Sequence, residues 1–121
     1  MTRRIVFALS LCTALLFTAA TASASPYGGR HIAQDYVSGY STDSYSHLTF
    51  RAGERSVVSV QGNGYTALQV RVFDENGNLI TQDVCQQDAC VVAWTPRWNG
   101  GFRITIQNLG GYANRYSMVV D

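Results

Sequence analysis

The chain has 121 residues, nine basic against eight acidic, and a formal net charge of +1 with both histidines neutral. Every basic residue is an arginine and they are scattered, so the clustered positive surface that neutralises nucleic-acid phosphates is missing. A chain of this length holds one domain and leaves no room for a second.

In chain order, the first element is MTRRIVFALSLCTALLFTAATASA. Arg3 and Arg4 give a basic start, Ile5 to Phe17 an apolar run, and Ala22-Ser23-Ala24 a small-residue cleavage pattern. This reads as a secretory signal peptide over 1–24. The apolar run falls short of the roughly 20 residues a spanning helix needs, so no membrane insertion is expected. Cys12 sits inside that run behind the bulky Leu11, which argues against lipidation. Cleavage after Ala24 removes Arg3 and Arg4 and leaves the acids one ahead of the arginines. The expected destination is the periplasm or the exterior.

Residues 25–45 are rich in Ser, Gly and Tyr and poor in aliphatics. They are expected to form an extended arm in which Tyr36, Val37 and Tyr40 dock on the domain that follows, with the first few residues loose.

From Ser46 onward apolar and polar residues alternate in short runs. Leu48 and Phe50 share one face; Val58 and Val60 another; then Leu68, Val70 and Val72; Phe102, Ile104 and Ile106; and Tyr116, Met118 and Val120. Period two sustained over so many runs predicts half-buried strands. Turn signals separate them at Ala52 to Glu54, Gly62 to Gly64, Asn76-Gly77, Asn99 to Gly101 and Gly110-Gly111. The pattern predicts an all-β fold, a small antiparallel sandwich of jelly-roll-like form over 46–121.

FDENGNLI, Phe73 to Ile80, offers oxygen-bearing side chains at Asp74, Asn76 and Asn78. A calcium loop starting at Asp74 needs glycine sixth and glutamate twelfth, where the chain has Leu79 and Cys85. A hairpin is the better reading: Val72 opposite Ile80, Asp74 opposite Asn78, and Glu75, Asn76 and Gly77 as a three-residue loop with Gly77 left-handed. No metal and no other cofactor is expected. The following strands are predicted at Leu79 to Val84 and Cys90 to Trp94. In an exported chain Cys85 and Cys90 are expected to form an intra-hairpin disulfide, with Val84 facing Val91 across paired strands.

Catalytic equipment is sparse. His47 should point outward from its strand and His31 lies in the arm; neither has a serine in a Gly-x-Ser-x-Gly elbow to activate. Asp83 and Asp88 read as solvated acids, and the cysteines are consumed by oxidation. The protein is therefore read as no enzyme. Exposed aromatics carry more: Tyr65, Trp98 and Tyr112 in predicted loops, and Tyr40 with Tyr36 and Tyr45 in the arm. They form either a platform for sugar rings or protein chains, or anchors packed over their own hairpins.

Taken together, RAGERSVVSVQGNG after Phe50, ALQVRVFDENGNLI, the strand ending in Trp94-Thr95-Pro96, Gly101 to Ile104 in NGGFRITIQN, and Asn114 to Tyr116 in GGYANRYSMVV follow a familiar order. From Leu48 to Val120 the chain resembles the bacterial pre-peptidase C-terminal domain, a small β-sandwich often appended to secreted proteases. The resemblance implies a non-catalytic accessory module, associated in that family with secretion, substrate attachment or protease maturation. Where relatives often carry acids in a D-L-D-L-like strand, this chain has Ala67-Leu68-Gln69-Val70, so no acid-dependent ion site is carried over. The expected function is an exported module that binds carbohydrate or protein through Tyr40, Tyr65, Trp98 and Tyr112; the alternative is an inhibitor or regulator of an exported hydrolase.

Overall fold

The structure is a computed structural model that describes residues 30–85 and 87–121. The signal peptide expected over 1–24, and the first residues of the expected arm, lie outside the described residues.

Among the described residues eight strands follow in order: β1 His31–Val37, β2 Thr42–Phe50, β3 Ser56–Gln61, β4 Leu68–Phe73, β5 Leu79–Val84, β6 Ala89–Trp94, β7 Gly100–Asn108 and β8 Asn114–Val120. They form two four-stranded antiparallel sheets, β1-β8-β3-β6 and β2-β7-β4-β5. Only β4 and β5 are joined as a hairpin within one sheet; every other connection crosses from sheet to sheet, which is jelly-roll topology.

The alternation read from the sequence is the packing pattern. Val58, Val60, Leu68, Val70, Val72, Phe102, Ile104, Ile106, Tyr116, Met118 and Val120 all fill the space between the sheets. At one end Phe50, Trp94 and Phe102 pack edge to face or tilted, with ring centroids 5.0 to 5.6 Å apart. Burying such a side chain stabilises by about 1.5–3 kcal/mol, so this interface carries the fold. In β2 a bulge between Tyr45 and Leu48 takes up one extra residue. It keeps both side chains facing inward and leaves His47 exposed with φ +64°.

Three expectations are corrected. The expected arm is strand in most of its described part: His31–Val37 pairs with β8 from His31 opposite Val120 to Val37 opposite Asn114, and β2 begins at Thr42. Among the described residues the sandwich therefore includes His31–Val37, with Val37 fully buried. Second, Val72 faces Thr81 and not Ile80, because a bulge after Val72 sets Phe73 opposite Leu79. Leu79 and Ile80 are both exposed as a result. The loop itself is as expected: the Gly77 N–H donates to the Asp74 carbonyl (3.1 Å), the Asp74 N–H donates to the Asn78 carbonyl (2.9 Å), and Gly77 has φ +84°.

Third, the Cys85–Cys90 disulfide is present and buried, with Cα atoms 4.4 Å apart, but the strands it joins do not pair. Val84 lies opposite Gln69 and Val91 opposite Ser59, so the bond closes the turn where the chain passes between sheets. A hairpin assignment from sequence treats neighbouring strands as partners; here each strand finds a better apolar surface elsewhere.

Candidate functional site

Because the strands are antiparallel and cross between sheets, the connections sort into two ends. The β1–β2, β3–β4, β5–β6 and β7–β8 connections lie at one end and the β2–β3, β4–β5 and β6–β7 connections at the other. Tyr40, Tyr65 and Tyr112 stand in the first group, on three different loops. Trp98 stands in the β6–β7 connection at the opposite end, so the four expected aromatics do not form one surface.

The three tyrosines are 77%, 78% and 75% exposed, against 42% for Trp98. They do not pack over their own hairpins as anchors. Tyr36 also stays exposed on β1, with the Arg115 guanidinium 5.6 Å from its ring centroid.

Two fully buried asparagines hold the tyrosine-bearing loops. Asn108, last in β7, donates through Nδ2 to the carbonyls of Val37 (3.1 Å) and Tyr112 (2.7 Å) and accepts the Gly110 N–H (3.0 Å). Asn114, first in β8, donates to the Thr66 carbonyl and hydroxyl (3.0 Å each) and accepts the Asn63 N–H (3.1 Å). Asn63 in turn accepts the Tyr65 N–H (3.0 Å). Backbone bonds complete the set: Tyr40 N–H to the Gly110 carbonyl (2.8 Å), Leu109 N–H to the Ala67 carbonyl (2.9 Å) and Gly62 N–H to the Asp88 carbonyl (2.7 Å).

Gly39 packs so closely on Gly111 that a Cβ there would strike the Gly111 carbonyl, and Gly111 lies under the Tyr40 ring. Loop backbone with this many fixed bonds presents its side chains without first having to be ordered, which lowers the entropy cost of binding. Neither was given this role from the sequence: Asn114 entered only as the first position of the Asn114 to Tyr116 motif, and both look like ordinary turn residues near glycines. Their signal is only their place at the last and first position of inward-facing runs.

A second polar cluster spans the two sheets at the β1/β2 edge. Tyr116 of β8 donates to Asp43 Oδ2 of β2 (2.6 Å) and shares a 2.5 Å hydrogen bond with the Tyr45 hydroxyl. Since Tyr116 gives its proton to Asp43, Tyr45 is the donor in the second bond. Burial, then the bonds to Asp43 and Tyr45, push the Tyr116 hydroxyl well above the ordinary tyrosine range. Burial also raises Tyr45, partly opposed by its bond to Tyr116. Both phenols therefore stay protonated near neutrality, and the cluster acts as a pin between sheets.

The remaining candidates for chemistry are dispersed. His31 meets the Tyr45 ring edge-on at 6.1 Å, and His47 is exposed on the bulge. Asp83 is exposed on β5, while Asp88 lies beside Gly64 in the loop end. Asp74 accepts the N–H groups of Asn76 and Asn78 (2.9 Å each) and the Asn78 side-chain amide (3.1 Å), which hold its carboxyl below the usual range. It serves the turn. Among the described residues no three His, Cys, Asp or Glu side chains converge as a metal set, and no helix is long and apolar enough to cross a membrane.

The fold and the loop end define a class: an eight-stranded jelly-roll sandwich with a rigid, tyrosine-bearing set of loops at one end. No family model matches the chain, and no curated protein matches it. Among solved structures it is similar to the pre-peptidase C-terminal domain of a collagenase from Bacillus anthracis, with TM-score 0.66 and 12% identity over 76% of this chain and 89% of that one. It is also similar to a periplasmic inhibitor of g-type lysozyme from Aeromonas hydrophila, with TM-score 0.58 and 16% identity over 86% and 91% of the two chains. The mitogen derived from Yersinia pseudotuberculosis aligns with TM-score 0.57 and 9% identity over 78% and 85%. The protein thus has a pre-peptidase C-terminal-like fold, and at these identities the likeness is one of fold.

Proposed function

We propose that the protein is an exported, non-catalytic binding module that recognises a protein or carbohydrate partner through Tyr40, Tyr65 and Tyr112. The observation that carries this reading is the exposure of three tyrosines on loops whose backbones are fixed by Asn108 and Asn114. Rigid, amphipathic rings standing clear of the surface make large contact area at low entropic cost. Export is supported by the leader pattern in 1–24 and by the Cys85–Cys90 disulfide. Trp98 belongs to the other end and is no part of the proposed surface.

The test is retention of the mature protein on peptidoglycan, a glycan array and its own secretome, comparing wild type with Tyr40→Ala/Tyr65→Ala/Tyr112→Ala and with Trp98→Ala. Binding lost in the triple variant and kept in Trp98→Ala supports the reading. Binding unaffected by the triple variant overturns it.

A second reading uses the same end. Tyrosines that protrude suit insertion into a partner's concavity, which favours the inhibitor of an exported hydrolase among protein-directed functions. Dose-dependent loss of activity in a hydrolase that co-purifies with the protein is the expected result. Its absence leaves the inhibitor reading without support.

A further inference from the structure

The outward face of the β2-β7-β4-β5 sheet is built differently from the loop end. Its residues follow from the register: Thr42, Ser44 and Thr49 on β2; Arg103, Thr105 and Gln107 on β7; Gln69, Arg71 and Phe73 on β4; and Gln82 on β5, with the apolar Leu79 and Val84 at the β5 edge. These alternate with the inward-facing Val70, Val72, Ile104 and Ile106. The chain has eight acids. Asp35 and Asp43 lie on the inward sides of β1 and β2, Asp83 lies opposite the inward-facing Val70, Asp88 lies at the loop end, and Glu54, Asp74 and Asp121 lie at the other end. Glu75 alone comes to the rim of the face, where it accepts the Gly101 N–H (3.3 Å).

Both guanidiniums on the face are without a carboxylate partner among the described residues. Arg71 Nε donates to Gln82 Oε1 (3.1 Å), which also accepts from Gln69 Nε2 (3.4 Å). Arg103 lies over the Phe73 ring, 4.7 Å from its centroid. Arg71 is cross-strand from Thr105, two residues along β7 from Arg103, so the two arginines occupy diagonal positions with Cα atoms roughly 7–8 Å apart. Gln107 Oε1 is enclosed in the same face with no hydrogen-bond donor among the described residues.

We infer that this face is a second binding site, for an acidic polysaccharide. Two guanidiniums without a carboxylate partner among the described residues match carboxylate or sulfate groups repeated along a chain, and Arg recognises such groups in a planar, two-pronged way. Thr42, Ser44 and the Gln side chains beside the arginines both donate and accept, which suits the hydroxyls of sugar rings, whereas Thr105 is buried beneath them. A nucleic acid asks for many more phosphate contacts than two arginines provide. The face is also chemically distinct from the tyrosine loops, so one molecule can hold an anionic matrix on its sheet and its other partner at its loop end.

The experiment measures binding of the mature protein to polygalacturonate, dextran sulfate, neutral dextran, polyglutamate and duplex DNA at low and high salt. The expected result is salt-sensitive binding to one or both acidic polysaccharides and none to neutral dextran. Arg71→Gln/Arg103→Gln should weaken it by about tenfold or more. Arg97→Gln/Arg115→Gln removes the same two charges from other surfaces and should change it by less than about twofold. Arg103→Gln alone, at an exposed position, separates lost contact from lost folding if the double variant melts early. Tyr40→Ala/Tyr65→Ala/Tyr112→Ala should leave it intact, which distinguishes this site from the loop end. Four results each overturn the inference: no binding to either acidic polysaccharide, equal binding to polyglutamate or DNA, no effect of the Arg71/Arg103 changes, or an equal effect of the charge-matched control.

Discussion

Asn114→Ala tests the physical basis of the loop end. The side chain is fully buried and makes three hydrogen bonds, two donated to Thr66 and one accepted from Asn63. Truncation removes all three and leaves the N–H of the exposed Asn63 and the carbonyl of the half-buried Thr66 without these partners. At about 1 kcal/mol for each lost bond, the expected destabilisation is about 3 kcal/mol. Small domains are stable by roughly 5–15 kcal/mol, so the variant should still fold. The loss corresponds to a fall in Tm of roughly 10–20 °C for a domain of this size. Calorimetry gives the shift, and amide exchange locates it: protection should be lost at Asn63, Tyr65 and Leu109 well before the central strands. Gly62 to Ala67 should loosen most, because Asn114 is what ties that loop to β8. A Tm within a few degrees of wild type, or unchanged exchange at Asn63 and Tyr65, would refute the claim that Asn114 holds the loop.

Three further outcomes follow from named interactions. Tyr116→Phe removes its bonds to Asp43 and Tyr45 and should cost about 1–3 kcal/mol, read by denaturant titration. The same hydroxyls govern alkaline stability: folded-state values raised above the ordinary tyrosine value mean the stabilisation is complete below about pH 10 and is lost as pH rises beyond it. Tyr116→Phe should flatten that alkaline arm; early tyrosinate absorbance from Tyr45 and Tyr116 in the folded protein would contradict the pin. Asp74 has the opposite sign, since its carboxyl is held low by the turn amides. Its contribution is present above the ordinary carboxylate value of about 4 and disappears as pH falls through the lower folded value, so Asp74→Ala should remove part of the acid-induced loss of stability. Finally, reducing Cys85–Cys90 should cost about 2 kcal/mol, because the closed loop is short. A melt of the reduced protein should show a lowered but cooperative transition, and complete unfolding on reduction would show that the bond holds more than one turn.

Much of the fold was legible in the sequence because strand burial has a local signature. Val70, Val72, Ile104 and Ile106 face inward because they alternate with Arg71, Arg103 and Thr105, and no distant residue is needed to read that. β1 escaped because among the described residues it stands at the end of its sheet and pairs with one strand, β8. HIAQDYV leaves Ile32, Gln34, Asp35 and Tyr36 exposed, so its alternation is blurred and only Val37 marks the core. The bulge after Val72 escaped for a related reason: Leu79 and Ile80 look like core residues, yet at the sheet edge nothing is available to bury them.

By itself, then, the sequence determined the all-β class, the turn at Gly77, the oxidised cysteine pair and the inward faces of the central strands, because period-two alternation and turn chemistry act between near neighbours. Tertiary structure alone decided which sheet each strand joins, and with it three things. Cys85–Cys90 became a bridge between sheets, Trp98 was parted from Tyr40, Tyr65 and Tyr112, and Arg71 and Arg103 came together on a face empty of acids apart from Glu75 at its rim. Those outcomes depend on partners far apart along the chain, chosen by the apolar area each pairing removes from water, and no short stretch of residues carries that information.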